Sequence, residues 1–305
     1  MSNTTPHFRR GVSAALLLCL VALPAKLTTA WGAGGHMMTA KIAFERLNPR
    51  ARAQVVKLMA IRIDPPDVTG RRLGFFRGSV WPDDVRNLPG FEFSRDEHFA
   101  DFPFRVDETP LPDLPKPANV IKALARYVKV LKTSPDRNER AQALRFIIHY
   151  VGDIHQPLHC SARVDANNPG GDEGGNRFFI TVPGQTGPPI KLHSFWDGGL
   201  GNFPRGGPPP DFEPPPQHLI DAAVVSVLKE NPATNKLIRL NRPTAFKSWA
   251  DESRRLAEKY AYAERQLVPD SEVTQPYIDD GVRVARRRVA WGGYRLAALL
   301  NSVWP

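Results

Sequence analysis

Cysteine is nearly absent from the 305-residue chain, which excludes a disulfide-stapled fold. The two cysteines are Cys19, in an N-terminal segment that we expect to be removed, and Cys160. Cys160 is then alone, so we expect a small buried residue without a disulfide partner. Asn-x-Ser/Thr sequons are also missing after residue 30. An exported protein with neither feature fits a bacterial periplasm or the medium better than a eukaryotic secretory route.

The apolar run near the N-terminus, Val12–Leu23, is too short for a confident membrane span. Two arginines precede this run, and the small residues Thr28 and Ala30 follow it at the −3 and −1 positions of a cleavage site. The pattern predicts a signal peptide over residues 1–30, cleaved after Ala30, with Trp31 as the mature N-terminus. An uncleaved anchor is the alternative. We therefore expect a secreted or periplasmic protein without stable membrane association.

Acidic residues are fewer than basic ones, and the formal net charge is +10. A basic surface suits a polyanionic partner such as nucleic acid, although a generic basic surface explains the charge equally well. With 42% hydrophobic residues, the chain can bury a large core. The proline-rich stretch 203–216 is interpreted as a stiff connection, because the helices after it need a partner core. We expect a monomer in which residues 31–305 form one domain.

Hydrophobic periodicity predicts a mainly helical chain. The predicted helices cover residues 38–47, 51–60, 118–133, 137–155, 217–230, 243–265 and 273–301. Residues 97–103 look extended, and 177–182 is interpreted as a short strand. The glycine-rich segment 168–176 is either a hairpin tip or a loop whose backbone lies close to a ligand. The arginine run at 283–288 is expected to be a solvated helix face, with a nucleic-acid stripe as the alternative.

Residues 149–159 place three histidines and an aspartate directly after a buried apolar run. Ionisable side chains that enter a core are costly unless they are paired or bound to metal. His149 and Asp153 are four residues apart and would share one helix face. Pro157 disfavours helix at Gln156, so the chain should turn there and aim His159 from another direction.

Further histidines and aspartates stand in apolar surroundings. His193 and Asp197 repeat the four-residue spacing of an imidazole–carboxylate pair. Asp83, after Pro82, would by default be a first-turn helix acid, and His36 or His98 alone would more often be structural. Imidazoles and carboxylates without a thiolate are together typical of a zinc hydrolase.

The motifs around these residues resemble those of the type I single-strand-specific nucleases of fungi, plants and bacteria, distant relatives of bacterial zinc-dependent phospholipase C. The resemblance covers residues 31–305 in the family's order. The matching motifs are Trp31 with Gly35-His36, Trp81-Pro82-Asp83 with Arg86, His98-Phe99-Ala100-Asp101, His149-x3-Asp153-x5-His159, Gly174-Gly175-Asn176, His193-Ser194-Phe195-Trp196-Asp197, Trp249–Ser253 and Ala290–Ala297.

This resemblance implies an all-α, phospholipase C/nuclease-like fold with a short β-hairpin and three bound zinc ions. The implied ligands are Asp83, His98, His149 and Asp153 for the first zinc, the amine and carbonyl of Trp31 with His36 and the bridging Asp153 for the second, and His159, His193 and Asp197 for the third. His155 matches no ligand of the family and is expected to be a packed histidine.

The implied activity is hydrolysis of single-stranded DNA and RNA to 5′-phosphorylated products, together with 3′-nucleotidase activity. Zinc would activate water for in-line attack on phosphorus. By resemblance, Asp83 would orient the nucleophile and Arg86 would neutralise the phosphate. Phe99 would stack on a base and Asp101 would hydrogen-bond it, while Asn176 would contact base or phosphate.

A purely structural role remains the alternative for some of these residues. Phe99 would otherwise be a core residue, Asn176 a turn residue and Arg86 a surface cation. A zinc-dependent phospholipase C acting on lipid phosphodiesters is the alternative enzyme. A non-catalytic metal-stabilised binding protein is the third possibility, disfavoured because three ions with open positions exceed what a structural site needs.

Overall fold

The computed structural model describes Met1 and residues 31–63, 74–207, 213–234 and 244–305. The predicted signal segment after Met1 and the first proline triplet of the 203–216 connection lie outside these residues. The described chain is mainly helical and confirms the all-α fold class. The α-helices are α1 Ala33–Phe44, α2 Pro49–Met59, α3 Phe75–Gly78, α4 Trp81–Val85, α5 Val120–Thr133, α6 Arg137–Asp153, α7 Leu192–Asp197, α8 Gln217–Glu230, α9 Phe246–Leu256 and α10 Gln275–Val303.

Short 3-10 and π turns connect several of these helices. The 3-10 segments are Glu92–His98, Pro157–Cys160 and Ala263–Arg265, and the π segment is Ala257–Ala261. Within the predicted helix 243–265, the regular α-helix covers Phe246–Leu256, and the π and 3-10 segments follow it. No helix among the described residues is long and apolar enough to cross a membrane.

Two small pairs of strands complete the fold. Strand β1, Pro103–Arg105, pairs in parallel with β2, Ala162–Val164. Strand β3, Phe179–Ile180, pairs antiparallel with β4, Ile190–Lys191, and forms the short hairpin. The prediction that residues 97–103 are extended is wrong at its start, because Glu97 and His98 close a 3-10 helix and the extended backbone begins only at Phe99.

Local capping explains where several helices begin. Asn48 and Asn119 each accept a hydrogen bond from a backbone N–H in the first turn of α2 and α5. Asp136 does the same for α6. Helix α1 begins at Ala33, earlier than predicted, so that His36 lies inside it. Glycines lower helix propensity, but at Gly34 the missing side chain allows close packing. A Cβ there would lie 2.1 Å from the Pro204 carbonyl oxygen.

Two hydrophobic clusters share the long helices. One surrounds α5 and α6 and includes Trp81 and Phe146. The other includes Trp31 and Trp196 and packs around the first half of α10. Helix α1 lies against α10 and contributes to both clusters. The segments that carry the histidines and aspartates are thereby held where the two clusters meet.

The arginine run of α10 is only partly a solvated face, which corrects the sequence-based expectation. Arg288 is fully buried, and Arg295, about two helical turns further on, is also buried. Both guanidinium groups donate to the carboxylate of Glu252 on α9, at 2.7–2.9 Å. Burying two guanidinium groups is tolerated only because Glu252 and nearby acceptors satisfy them.

Replacing Glu252 with Gln should destabilise the fold by about 3 kcal/mol, because two buried cations lose their counter-charge. Urea unfolding followed by circular dichroism measures this change. The matched control is Asp251→Asn on the same helix, whose carboxylate pairs with the exposed Lys247 at 3.0 Å. Its cost should stay below about 0.5 kcal/mol. Equal effects for the two variants would contradict this role of Glu252.

Candidate metal centre

Helix α6 ends with the His149–Asp153 pair on its buried face. The imidazole Nε2 of His149 lies 3.2 Å from Oδ2 of Asp153. Nδ1 of His149 donates a hydrogen bond to the Ser79 carbonyl oxygen at 2.6 Å. This bond fixes a proton on Nδ1 and directs Nε2 toward the carboxylate. The four-residue spacing thus produces the shared face that the sequence predicts.

The two oxygens of Asp153 face histidines on opposite sides. Oδ1 lies 3.3 Å from Nε2 of His36, on α1. Oδ2 lies 3.0 Å from Nδ1 of His98, whose ring also lies 3.0 Å from Nε2 of His149. Asp153 is fully buried, so this single carboxylate joins two clusters of imidazoles. The arrangement suits a carboxylate that bridges two cations.

The close approach of His36 depends on a glycine in α6. A Cβ at Gly152 would lie 2.6 Å from Nδ1 of His36. The His36 and His149 rings stack with centroids 3.9 Å apart. Any larger residue at position 152 would therefore push α1 away from α6.

Asp83 lies in the first turn of α4 and completes this part of the site. Its Oδ1 lies 3.8 Å from both His98 and His149, and 3.3 Å from a guanidinium nitrogen of Arg86. The side chain does not cap the helix, although it occupies the first turn. The structure thus places Asp83 with the histidines, in contrast to the default interpretation as a helix acid.

A separate group forms past the turn at Pro157. His159, in the 3-10 segment, donates Nδ1–H to the carbonyl oxygen of His98 at 2.9 Å. His193, on α7, donates Nδ1–H to the carbonyl oxygen of Gly174 at 2.7 Å. Nε2 of His193 lies 3.5 Å from Oδ2 of Asp197. The glycine-rich segment therefore orients a site histidine through its backbone, as the close-approach interpretation allows.

The donor atoms of these residues fit a metal ion. In three groups the ligand atoms lie within 4.8 Å of one another, and these groups are His36 with Asp83 and His149, His98 with His149 and Asp153, and His159 with His193 and Asp197. Several buried site atoms have no hydrogen-bond partner among the described residues, namely Nε2 of His36, His98 and His159, Oδ1 of Asp153 and both oxygens of Asp83. Such orphaned acceptors are costly unless a cation satisfies them.

The electrostatics of the site keep most of its imidazoles neutral. Burial, with the charge of His149, lowers the pKa of His36 to about 4. Burial and the neighbouring His159 lower the pKa of His193 to about 3. Burial also lowers the pKa of His98 and of His159. Neutral imidazole is the form that binds metal, so these residues are poised as ligands.

His149 is the exception. Burial alone would lower its pKa, but the carboxylates of Asp153 and Asp83 outweigh burial and raise it to about 9. The pKa of Asp153 correspondingly lies well below its usual value, since His149 outweighs the opposite effect of burial. Without metal, a proton on His149 therefore stands in for part of the missing positive charge.

The residues predicted to bind substrate open into one cavity of about 390 Å³ beside the histidines. Arg86, Phe99, Asp101 and Asn176 all line it. Burial, reinforced by the charges of Asp172 and Glu173, raises the pKa of Asp101 to about 8. Oδ1 of Asn176 is buried without a hydrogen-bond partner among the described residues. The cavity thus combines an aromatic wall with unsatisfied polar groups.

Trp31 is anchored beside the site. Its indole is fully buried and packs against Phe203, with ring centroids 5.3 Å apart. The next residue, Gly32, donates its N–H to the carbonyl oxygen of Asp197 at 3.0 Å. The start of the predicted mature chain is thereby tied to α7, the helix that carries His193.

His155 and Cys160 lie outside all three groups. His155 accepts a hydrogen bond at Nε2 from Arg295, 2.9 Å away, and its Nδ1 lies 2.7 Å from the Val151 carbonyl oxygen. Both ring nitrogens are thus occupied. Cys160 is a buried free thiol.

Sequence reasoning missed Gln156, which is fully buried and lies between Asp153 and His159 in the chain. Its Nε2 donates to Oδ1 of Asp197 at 2.7 Å, and its Oε1 accepts the Leu158 N–H at 2.5 Å. Gln156 therefore leaves Oδ2 of Asp197 as the oxygen that faces His193. Only its place in the turn before Pro157 could have pointed to it.

Comparison with known proteins gives matches along nearly the whole predicted mature chain. The sequence model of the S1/P1 nuclease family matches residues 31–305. Endonuclease 3 of Arabidopsis thaliana is 28% identical over 286 residues, covering 90% of this chain and 89% of the relative. Nuclease S1 of Aspergillus oryzae is 26% identical, covering 92% and 93%. Nuclease P1 of Penicillium citrinum is 25% identical, covering 90% and 97%.

In protein stripped of metal by a chelator, the free energy of unfolding should fall as pH rises from 6.5 to about 9. The raised pKa of His149 gives stability that is fully present below pH 6.5 and is lost as pH rises through about 9. Asp101, with a pKa near 8, acts in the same direction because its proton is held only in the folded state. Urea unfolding across this pH range measures the effect.

The matched variant is His149→Gln, which cannot hold the proton. It should remove about 3 kcal/mol of this pH dependence and leave the Asp101 part in place. An unchanged pH dependence in His149→Gln would contradict the role given to His149.

Proposed function

The chain belongs to the S1/P1 nuclease family, and from this premise we propose that it is a secreted zinc-dependent endonuclease. It cleaves phosphodiester bonds of single-stranded DNA and RNA to 5′-phosphorylated products and also acts on 3′-nucleotides. The observation that carries the proposal is the Asp153 carboxylate, which faces His36 with one oxygen and His98 and His149 with the other.

We propose three zinc ions. Two groups of His/Asp residues share His149 and would together hold a pair of ions, and His159, His193 and Asp197 would hold a third. Imidazole nitrogen and carboxylate oxygen without thiolate suit zinc. The ligands would be those that the family resemblance implies, with the amine and carbonyl of Trp31 beside His36. When bound, zinc supplies a nucleophilic hydroxide at neutral pH and neutralises phosphate charge.

The chain's own residues then orient the reaction. The Arg86 guanidinium lies at the edge of the cavity and is 3.3 Å from Asp83, so it can donate to a phosphate oxygen placed beside the histidines. Oxygens of Asp83 that have no hydrogen-bond partner among the described residues can accept a hydrogen bond from the attacking water and so orient it. Positioning of this kind lowers the barrier by holding the water in line with phosphorus.

Selection of single strands follows from the cavity wall. Phe99 offers a half-buried ring on which a base can stack, and stacking accepts every base. A base inside a duplex is not available for such stacking, so an unpaired strand is preferred. Asp101, with its raised pKa, would hydrogen-bond the stacked base, and Asn176 would contact base or phosphate.

Export completes the proposal. Cleavage of the signal peptide after Ala30 frees the amine of Trp31, five residues before His36. A neutral amine is a nitrogen donor like an imidazole. Processing in the periplasm or on secretion would thus finish the metal centre.

The direct test offers purified mature protein single-stranded DNA, RNA, a 3′-nucleotide and phosphatidylcholine, with and without chelator. We expect nucleotide release that the chelator abolishes and no headgroup release. Asp83→Asn should lower activity at least about 100-fold. The matched control is Asp84→Asn, whose carboxylate pairs with Arg77 at 2.8 Å, and it should keep activity within about threefold.

Two outcomes would overturn the proposal. Headgroup release without nucleotide release would make the protein a phospholipase C. Cutting that persists after exhaustive chelation would exclude a metal-dependent mechanism.

A second prediction concerns the N-terminus. Mature protein that carries an extra methionine before Trp31 should bind fewer zinc ions per chain and lose most activity, because the amine is displaced from His36. Metal analysis and nuclease assays measure both effects. Protein whose extra residue has been removed by an aminopeptidase serves as the control. Equal zinc content and activity in the extended and the processed protein would contradict a ligand role for the amine.

A further inference from the structure

The cavity beside the histidines is lined by both acidic and basic side chains. Its acidic residues are Asp96, Asp101 and Glu173. Three cations also line the cavity, namely Arg86, Lys116 and Lys191. Arg86 pairs with Asp83 at 3.3 Å, and Lys116 pairs with Asp96 at 3.1 Å. Lys191 forms no ion pair with any residue in the described part of the chain.

Lys191 occupies a defined place in the fold. It ends strand β4, opposite Phe179 in the hairpin register, and it is the residue directly before α7. Lys191 and His193, two residues further on, both line the cavity, so this lysine belongs to the wall that also carries a site histidine.

An unpaired ammonium group in a nuclease cavity has an evident partner. A polynucleotide carries one negative charge per nucleotide, and lysine binds phosphate as a point charge. Asp101, which its raised pKa of about 8 keeps largely protonated at neutral pH, offers a hydrogen bond to a base and no charge to attract a phosphate. Phosphates of a bound strand are therefore drawn toward Arg86 and Lys191.

Arg86 and Lys191 cannot be equivalent in this respect. Arg86 lies 3.3 Å from Asp83, within the part of the site that is built around Asp153. Lys191 lines the same cavity from the start of α7 and has no ion-pair partner among the described residues. A strand whose reacting phosphate is held by Arg86 beside Asp83 therefore leaves Lys191 for a neighbouring phosphate.

We propose that Lys191 binds the phosphate next to the one that is cleaved and so makes the enzyme prefer polynucleotides to mononucleotides. This inference rests on the proposed nuclease function. Lys191 is a specificity-determining residue here and takes no part in the bond-breaking step. A 3′-nucleotide or a dinucleoside monophosphate has no second phosphate and would not use it.

The test compares kcat/KM of the zinc-loaded enzyme for a 3′-nucleotide, a dinucleoside monophosphate and a single-stranded oligonucleotide. In Lys191→Gln we expect about a tenfold loss for the oligonucleotide and a change within about twofold for the other two substrates. Lys191→Arg should restore most of the loss. The slope of log KM for the oligonucleotide against log salt should become smaller by about one charge in Lys191→Gln.

The matched control is Lys116→Gln, from the same cavity but already paired with Asp96. It should leave the ratio between oligonucleotide and 3′-nucleotide unchanged. Equal losses on all three substrates in Lys191→Gln would mean that Lys191 serves the cleaved phosphate or the fold, and no loss on any would mean that it binds no phosphate. Either result overturns the inference, whereas absence of nuclease activity in the unaltered enzyme would overturn the proposed function instead.

Discussion

The site depends on one buried charge, the carboxylate of Asp153. An ionised carboxylate cannot remain buried without compensation. Here the compensation comes from three imidazoles, delivered by α1, by the 3-10 segment Glu92–His98 and by α6 itself. Segments that are far apart in sequence must therefore meet at this point, and the two hydrophobic clusters are arranged around that meeting place.

Much of the arrangement could be predicted from sequence because it follows from helix geometry. The four-residue spacings of His149 with Asp153, and of His193 with Asp197, put each pair on one helix face. Pro157 begins a 3-10 segment after α6, so His159 does not continue the direction of that helix. The all-α class and most ends of the long helices follow from hydrophobic periodicity and from capping residues such as Asp136.

The remainder depends on tertiary contacts that leave no local pattern. Carbonyl oxygens of Ser79, Gly174 and His98 orient the site imidazoles, and a backbone acceptor has no residue-type signature. The glycines at the start of α1 gave no sign of a helix there, because the helix depends on close packing of Gly34 against Pro204. Arg288 looked like one member of a solvated arginine run, and only the position of Glu252 on another helix explains its burial.

The network around Glu252 also has a consequence for synthesis of the chain. Arg288 donates to the carbonyl oxygen of His155, and Ser253 donates to that of Ile154, so the turn between Asp153 and His159 is held by residues that come last in the sequence. A nascent chain that has just emerged past Asp197 contains every histidine and aspartate of the three groups but not this support. The turn that aims His159 can therefore gain its hydrogen bonds from Ser253 and Arg288 only after those residues have been synthesised.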